Sequence, residues 1–221
     1  MRADSKETVD ELLDLAERLF AKHGVEQVPL TRIVAASGQK NRSALHYHFG
    51  SREGMLAAVL DRRLKHINTL RQDMLERVSE DGRLSETVRA FVEPLCFVVL
   101  NEPWGPDYVS VLAQASFHPR LLGERTVDDA NISALRQCKR LIEQALPDVP
   151  RKILSQRFKW FIDSVVLAIA RWTRETPKSL WTRSNMQELA DSLIAYGLAG
   201  LSAPAANVVR VGNRVPRRVG R

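Results

Sequence analysis

The sequence predicts an all-α fold in two parts, a small N-terminal helix-turn-helix head and a larger C-terminal helical body. Three observations carry this. Apolar residues recur at three-to-four spacing along most of the chain, the period of a helix with one face inward. Glycine and proline interrupt the periodic stretches at helix-length intervals. Near the N-terminus two short helices meet at a tight glycine-containing joint, the pattern of a helix-turn-helix. At 221 residues the chain suits one large domain or two smaller ones and can bury a substantial core.

The first helix carries Val9, Leu12, Leu13, Ala16, Leu19 and Phe20 on one side and Asp10, Glu11, Asp14, Glu17 and Arg18 on the other, with Gly24 as its stop. A short second helix runs from about Leu30 to Ser37: Pro29 suits its first turn, Leu30, Ile33 and Val34 face inward, and Gly38 ends it. Asn41 or Ser43 then caps a third helix of about two turns, whose Leu45 and Phe49 reach the core. Ser51, followed by Glu53 and Gly54, opens a long fourth helix reaching toward Ser79. Leu84 to Leu100 is the next, closed by the joint NEPWGPD. Tyr108 to Phe117 follows, stopped by His118 and Pro119, and another helix covers roughly Gly123 to Leu146 before Pro147. Asp148 caps a helix that continues to about Thr173, with Pro150 near its first turn. Phe158, Phe161, Val165, Ile169 and Trp172 form one stripe along it, with Ile162 and Val166 beside, so this helix must be covered on two sides. Ser184 caps the last helix, where Met186, Leu189, Leu193, Gly197 and Leu201 make a stripe and Gly197, Ala199 and Gly200 permit close approach.

Composition narrows the function classes. With 44% hydrophobic and 27% charged residues the chain is too apolar for disorder over most of its length. No apolar run approaches the roughly 18 to 20 residues needed to span a bilayer, and the start MRADSKETVDE is unlike a signal peptide, so a cytoplasmic protein without a membrane partner is expected. Cys96 and Cys138 lie inside apolar helical patterns and read as reduced core thiols. His46 and His48 fall on different sides of a helix and cannot chelate one metal as an i, i+4 pair would. There is no HExxH, Gly-rich phosphate loop or GxSxG elbow, and no enzyme, metal or cofactor is expected. Net charge is +7, and it is unevenly placed. Residues 1–65 carry 11 Lys+Arg against 9 Asp+Glu, residues 66–201 carry 17 against 17, and residues 202–221 carry 5 against 0. No acid lies between Gln27 and Arg52, a window holding Arg32, Lys40 and Arg42, so basic character is focused where phosphate would be met.

The stretch SGQKNRSALHYHFGSREGML concentrates that chemistry. Held by its apolar residues against the first two helices, the third helix turns its polar face outward. Lys40, Asn41, Arg42, Ser43 and His46 then lie around its start and outer face, in reach of base edges in a major groove. Tyr47 and His48 can hold a phosphate, and Arg52 with the free N–H groups at the next helix start can hold another. The pieces LAERLFAKHGVEQV, TRIVAASG and ALHYHFGSREGML, in this order and spacing, resemble the N-terminal domain of the tetracycline-repressor-like (TetR) family of transcriptional regulators over about residues 8 to 60. The resemblance implies that Tyr47, His48 and Arg52 lie near the DNA backbone. Two departures stand out: the turn Gln39-Lys40-Asn41 is one residue longer than is usual in the family, and Pro29 replaces the threonine that commonly heads the second helix. Thr31 is the candidate to take over that phosphate contact.

The domains expected are therefore a DNA-binding head at 1–65, a helical effector-binding and dimerisation body at 66–201, and a basic, disordered tail at 202–221 that is either a solvated end or an auxiliary phosphate-binding arm. The resemblance implies a homodimer, formed by the last two long helices and their copies, that reads palindromic double-stranded operator DNA, and a small-molecule pocket among the central helices. A largely apolar effector is expected, with Phe91, Leu95, Trp104, Tyr108, Leu112, Phe117, Phe161 and Val165 as candidate lining and Gln114, Arg136 or Asp163 as polar fixers. Two other readings stay open: an effector-independent dimeric DNA-binding protein, and a helical interaction module whose basic turn meets an acidic surface.

Overall fold

The computed structural model describes residues 2–37, 49–116 and 128–204. They form eight α-helices, with no strand among the described residues. In chain order these are α1 (Arg2–His23), α2 (Leu30–Ala36), α3 (Arg52–Leu75), α4 (Arg83–Asn101), α5 (Gly105–Ser116), α6 (Ser133–Ala145), α7 (Arg151–Glu175) and α8 (Arg183–Ser202). Single 3-10 turns at Val25–Gln27, Asp129–Ile132 and Lys178–Leu180 join some of them. The candidate DNA residues Lys40, Asn41, Arg42, Ser43, His46, Tyr47 and His48, the pocket candidate Phe117, and the tail beyond residue 204 lie outside the described residues.

The head is organised by the inward face that the periodicity predicts. Leu12, Leu13, Ala16 and Phe20 of α1 are buried with Val25, Val28, Ile33 and Val34, and α3 closes this core with Met55, Leu56 and Val59. Gly24 ends α1 at φ 91 and Gly50 precedes α3 at φ 64, both in the left-handed region where a side chain is strained. Ser51 caps α3 as expected, its Oγ accepting from the Gly54 N–H at 3.0 Å. The expected division at residue 65 falls inside α3, so one unbroken helix belongs to both head and body.

In the body, α4 is central and packs against α3, α5, α6, α7 and α8. Its apolar face buries Val88, Phe91, Val92, Leu95, Val98 and Val99. Helix α7 is covered on two sides, by α5 and by α8, which accounts for its double stripe. The contact with α8 is close: a Cβ on Gly197 would lie 2.4 Å from the Phe161 ring, so glycine is required there by space.

Several boundaries differ from the sequence reading, each for a local reason. Helix α3 ends at Leu75 rather than near Ser79, because Ser79 instead donates its N–H to the Glu86 carboxylate at 2.7 Å and ties down the turn into α4. Helix α5 starts at Gly105, three residues before the expected Tyr108, where a Cβ would lie 1.9 Å from the Val98 carbonyl oxygen. Of the helix expected over Gly123 to Leu146, residues 123–127 lie outside the described residues and the described α-helix begins at Ser133, after a 3-10 turn capped by Asp128, whose Oδ1 accepts from the Ala130 N–H at 2.9 Å. Asp148 does not cap α7, which starts directly after Pro150 with no side-chain cap. Thr182 rather than Ser184 caps α8, accepting from the Asn185 N–H at 3.2 Å.

Candidate functional site

Thr31 and Arg32 are exposed on α2, on the side opposite the buried Ile33 and Val34. The Arg32 guanidinium and His23 Nε2 lie 3.1 Å apart, and the His23 pKa is lowered by desolvation and by Arg32, so the ring accepts as neutral imidazole. Arg52 is partly exposed and already engaged: Nη1 donates to the Glu26 carbonyl and Nη2 to Glu53 Oε1, both at 2.9 Å. It therefore ties the start of α3 to the turn after α1.

Two sets of polar contacts fasten the head to the body. Gln114 of α5, expected as a pocket residue, spends both ends of its amide on the head: Oε1 accepts from the Val25 N–H at 2.8 Å and Nε2 donates to the Phe20 carbonyl at 3.3 Å. Both lie where α1 stops: the Val25 N–H is the first past the helix end, and the Phe20 carbonyl also accepts from the Gly24 N–H at 2.9 Å. The second set is an ion cluster between α1 and α3. Glu17 is buried at 2% exposure and accepts from Arg63 at 2.7 Å, while Arg62 and Arg63 share Asp14. Burial raises the Glu17 pKa, and the hydrogen bond and charge of Arg63 work against that rise. The Arg63 guanidinium also lies 4.6 Å over the Trp104 ring, and Trp104 meets Tyr108 edge-on at 5.9 Å. A continuous series of contacts thus runs from Glu17 in the head to Tyr108 in the body.

The effector candidates divide. Phe91, Leu95, Phe161 and Val165 are brought together in the core, with the Phe91 and Phe161 rings 5.0 Å apart. Tyr108 and Leu112 lie on α5 and Trp104 in the turn just before it, Tyr108 fully buried and the other two partly. Asp163 and Arg136 are exposed on the outer sides of α7 and α6, so the reading of Asp163 as an inner polar residue is corrected and neither fixes a ligand in the core. The helix packing that buries Phe161 and Val165 turns Asp163 outward.

One residue was missed. Arg71 is 3% exposed in the middle of the body, its guanidinium 5.1 Å over the Phe91 ring. Its one hydrogen bond among the described residues goes from Nη2 to the Phe91 carbonyl at 3.5 Å, the outer limit for such a bond. The signal was present in the sequence: Arg71 is four residues from Ile67 and four from Leu75, both buried, and so occupies a core position of α3.

Two clefts open elsewhere. The larger, 1470 Å³, lies between α1 and the α5–α7 side and is lined by Arg18, Lys22, Asp107, Arg174 and Lys178 among others. The smaller, 370 Å³, lies between α4 and α8 and includes Cys96, Phe97, Leu100 and Met186. Neither is lined by Arg71 or Tyr108.

This arrangement has counterparts. Residues 12–59 match the bacterial regulatory proteins of the tetR family, and residues 89–200 match the tetracyclin repressor-like C-terminal domain. The chain is 28% identical over 173 residues to the HTH-type transcriptional repressor AcnR of Corynebacterium glutamicum, across 72% of this chain and 80% of that protein. To AcnR of Corynebacterium efficiens it is 37% identical over 109 residues, 48% of this chain and 47% of that one. Among solved structures, a tetR family transcription regulator from Shewanella sp. PV-4 matches with a TM-score of 0.59 at 15% identity, over 85% of this chain and 95% of that one. The ketosteroid transcriptional regulator KstR2 of Mycobacterium tuberculosis matches at 0.53 and 17% identity, over 87% and 93%; at such identities the likeness is one of fold. With one match on the helix-turn-helix head and a second spanning about half of the chain across the body, the chain belongs to the tetracycline-repressor-like family of bacterial transcriptional regulators.

Proposed function

We propose that this regulator is a repressor that binds palindromic operator DNA as a homodimer and is released by a small, largely apolar effector held in the body. The observation that carries this reading is the double fastening of head to body, by Gln114 and by the Glu17–Arg63–Trp104 series. A regulator needs the orientation of its head to depend on the packing of its body, and these contacts make it so. An effector preferring one packing of α3 and α5 then changes DNA affinity by its differential affinity for the two states.

In this reading Lys40, Asn41, Arg42, Ser43 and His46 serve the base edges, and Thr31, Tyr47, His48 and Arg52 serve the phosphates. A two-fold partner is supported by the outer faces of α7 and α8, which leave Trp160 at 59%, Leu167 at 37% and Tyr196 at 60% exposure. The protein works in the cytoplasm beside its DNA, and no helix among the described residues is long and apolar enough to cross a membrane.

The test is selection of the purified chain against random duplex DNA at near-physiological salt, with its mass in solution measured by sedimentation. A palindromic motif bound by a dimer is expected. Salt-sensitive binding without a motif would replace this reading with that of a basic interaction module.

A further inference from the structure

We infer that Arg71 and Tyr108 form the recognition point for a single carboxylate on an otherwise apolar effector. Four helices meet there: Arg71 comes from α3, Phe91 from α4, Tyr108 from α5 and Cys138 from α6, and all four residues are buried. Arg71 Nε and Tyr108 Oη are both buried without a hydrogen-bond partner among the described residues, two of three such side-chain atoms. A guanidinium stays charged at any physiological pH, and a buried charge without a counter-ion is costly. Among the described residues no carboxylate pairs with Arg71. Burial pushes the Cys138 thiol up to about 11 and raises the Tyr108 phenol as well, so both neighbours are neutral near pH 7.

What does reach Arg71 is weak. The Phe91 carbonyl of α4 receives it at 3.5 Å, whereas the acceptor that Pro94 leaves without a helical donor is the Ala90 carbonyl, one residue earlier. Among the described residues the Arg71 Nε has no acceptor. A carboxylate supplies both missing partners, accepting from the planar guanidinium and from the phenol. One buried cation balances one negative charge, and the surrounding Phe91, Ile67 and Leu75 are apolar, so the ligand is a monocarboxylate with an aromatic or aliphatic body. The two clefts described above do not include Arg71 or Tyr108, and parting α3 from α5 would open a way to both residues. That movement acts directly on the Trp104 and Gln114 contacts with the head. For its effect on DNA this site rests on the effector-released reading; for binding it stands alone.

The experiment is thermal melting of the full chain and of Arg71→Met, Arg71→Lys and Tyr108→Phe, with benzoate, phenylacetate and hexanoate, with their primary amides, and with chloride. Without ligand, Arg71→Met is expected to melt about 4 °C higher than the parent, since an uncompensated charge has left the interior. At least one carboxylate should raise the parent melting temperature by about 5 °C at a hundredfold excess over its Kd, and its amide should not. The response should vanish in Arg71→Met, persist weakened in Arg71→Lys, and fall in Tyr108→Phe. A lower melting temperature for Arg71→Met would make Arg71 a structural residue and overturn the assignment. So would equal shifts from acid and amide, the same shift from chloride, a shift surviving in Arg71→Met, or no shift from any acid. Operator release separates the two readings. Release by amides alone sinks the carboxylate and keeps the regulator effector-controlled; an Arg71-dependent shift without release keeps the site and sinks effector control.

Discussion

The two buried charge centres of this molecule are built in opposite ways. At the head–body junction Glu17 is met by Arg63 and Arg62, with Asp14 bridging the two arginines, so every charge has a partner. In the body, Arg71 is just as enclosed and faces a ring, a thiol and a phenol. A paired buried charge is a fastening, because removing either side strands the other. An unpaired one does not hold the fold together, and its retention points to something outside the chain. The comparison therefore separates a residue kept for architecture from one kept for recognition.

The largest effect should come from breaking the paired centre. Arg63→Met takes away the hydrogen-bonded partner of Glu17, leaving it Arg62 at 3.5 Å, and removes the cation over Trp104; a loss of about 3 kcal/mol is expected in denaturant unfolding, opposite in sign to Arg71→Met. Equal signs for the two substitutions would erase the distinction. Next, Gln114→Ala leaves the Val25 N–H without its partner, at a cost of about 1 to 2 kcal/mol, and should loosen the head in hydrogen exchange while α7 and α8 stay protected. Ser51→Ala removes the α3 cap, a loss of about 1 kcal/mol, with protection reduced first at residues 52–55.

The smallest effect sharpens the comparison through pH. Burial raises the Glu17 pKa, so the folded state binds this proton more tightly than the unfolded chain does. Its contribution is complete below the ordinary carboxylate range and is lost as pH rises through the raised value. The stability of the parent minus that of Glu17→Gln should accordingly fall with rising pH across that window and then level off. A difference independent of pH would mean that Arg63 fully offsets the burial.

How much was legible in the sequence follows from the range of each interaction. The inward face of α1, the Gly24 stop and the Ser51 cap are decided by residues within a turn or two, and periodicity exposes them. The cap of α8 was placed two residues late because Thr182 and Ser184 are both competent and only the backbone path chooses. Gln114 was assigned to the pocket on chemical type alone; its partners are 89 and 94 residues away, and nothing local announces them. Asp163 was read as inner because apolar residues surround it in sequence, yet α7 turns it to solvent. Arg71 was visible as a charge at a core position, and it passed unremarked among the other arginines of a long helix.

Helix α3 remains to be considered as a rod. Arg52 at its first turn and Arg71 near its last are 19 positions apart, which at helical rise is about 28 Å. A tilt of about 5° imposed at the Arg71 end displaces the Arg52 end by about 2.5 Å, and in a two-fold pair the two heads move oppositely, by about 5 Å in all. Successive major grooves on one face of DNA recur at about 34 Å, so that change is a sizeable fraction of the repeat the heads must match. On the proposed dimeric, effector-released reading, leverage of this kind would turn a small disturbance beside one arginine into a misfit at the operator, with no need for any helix to unfold.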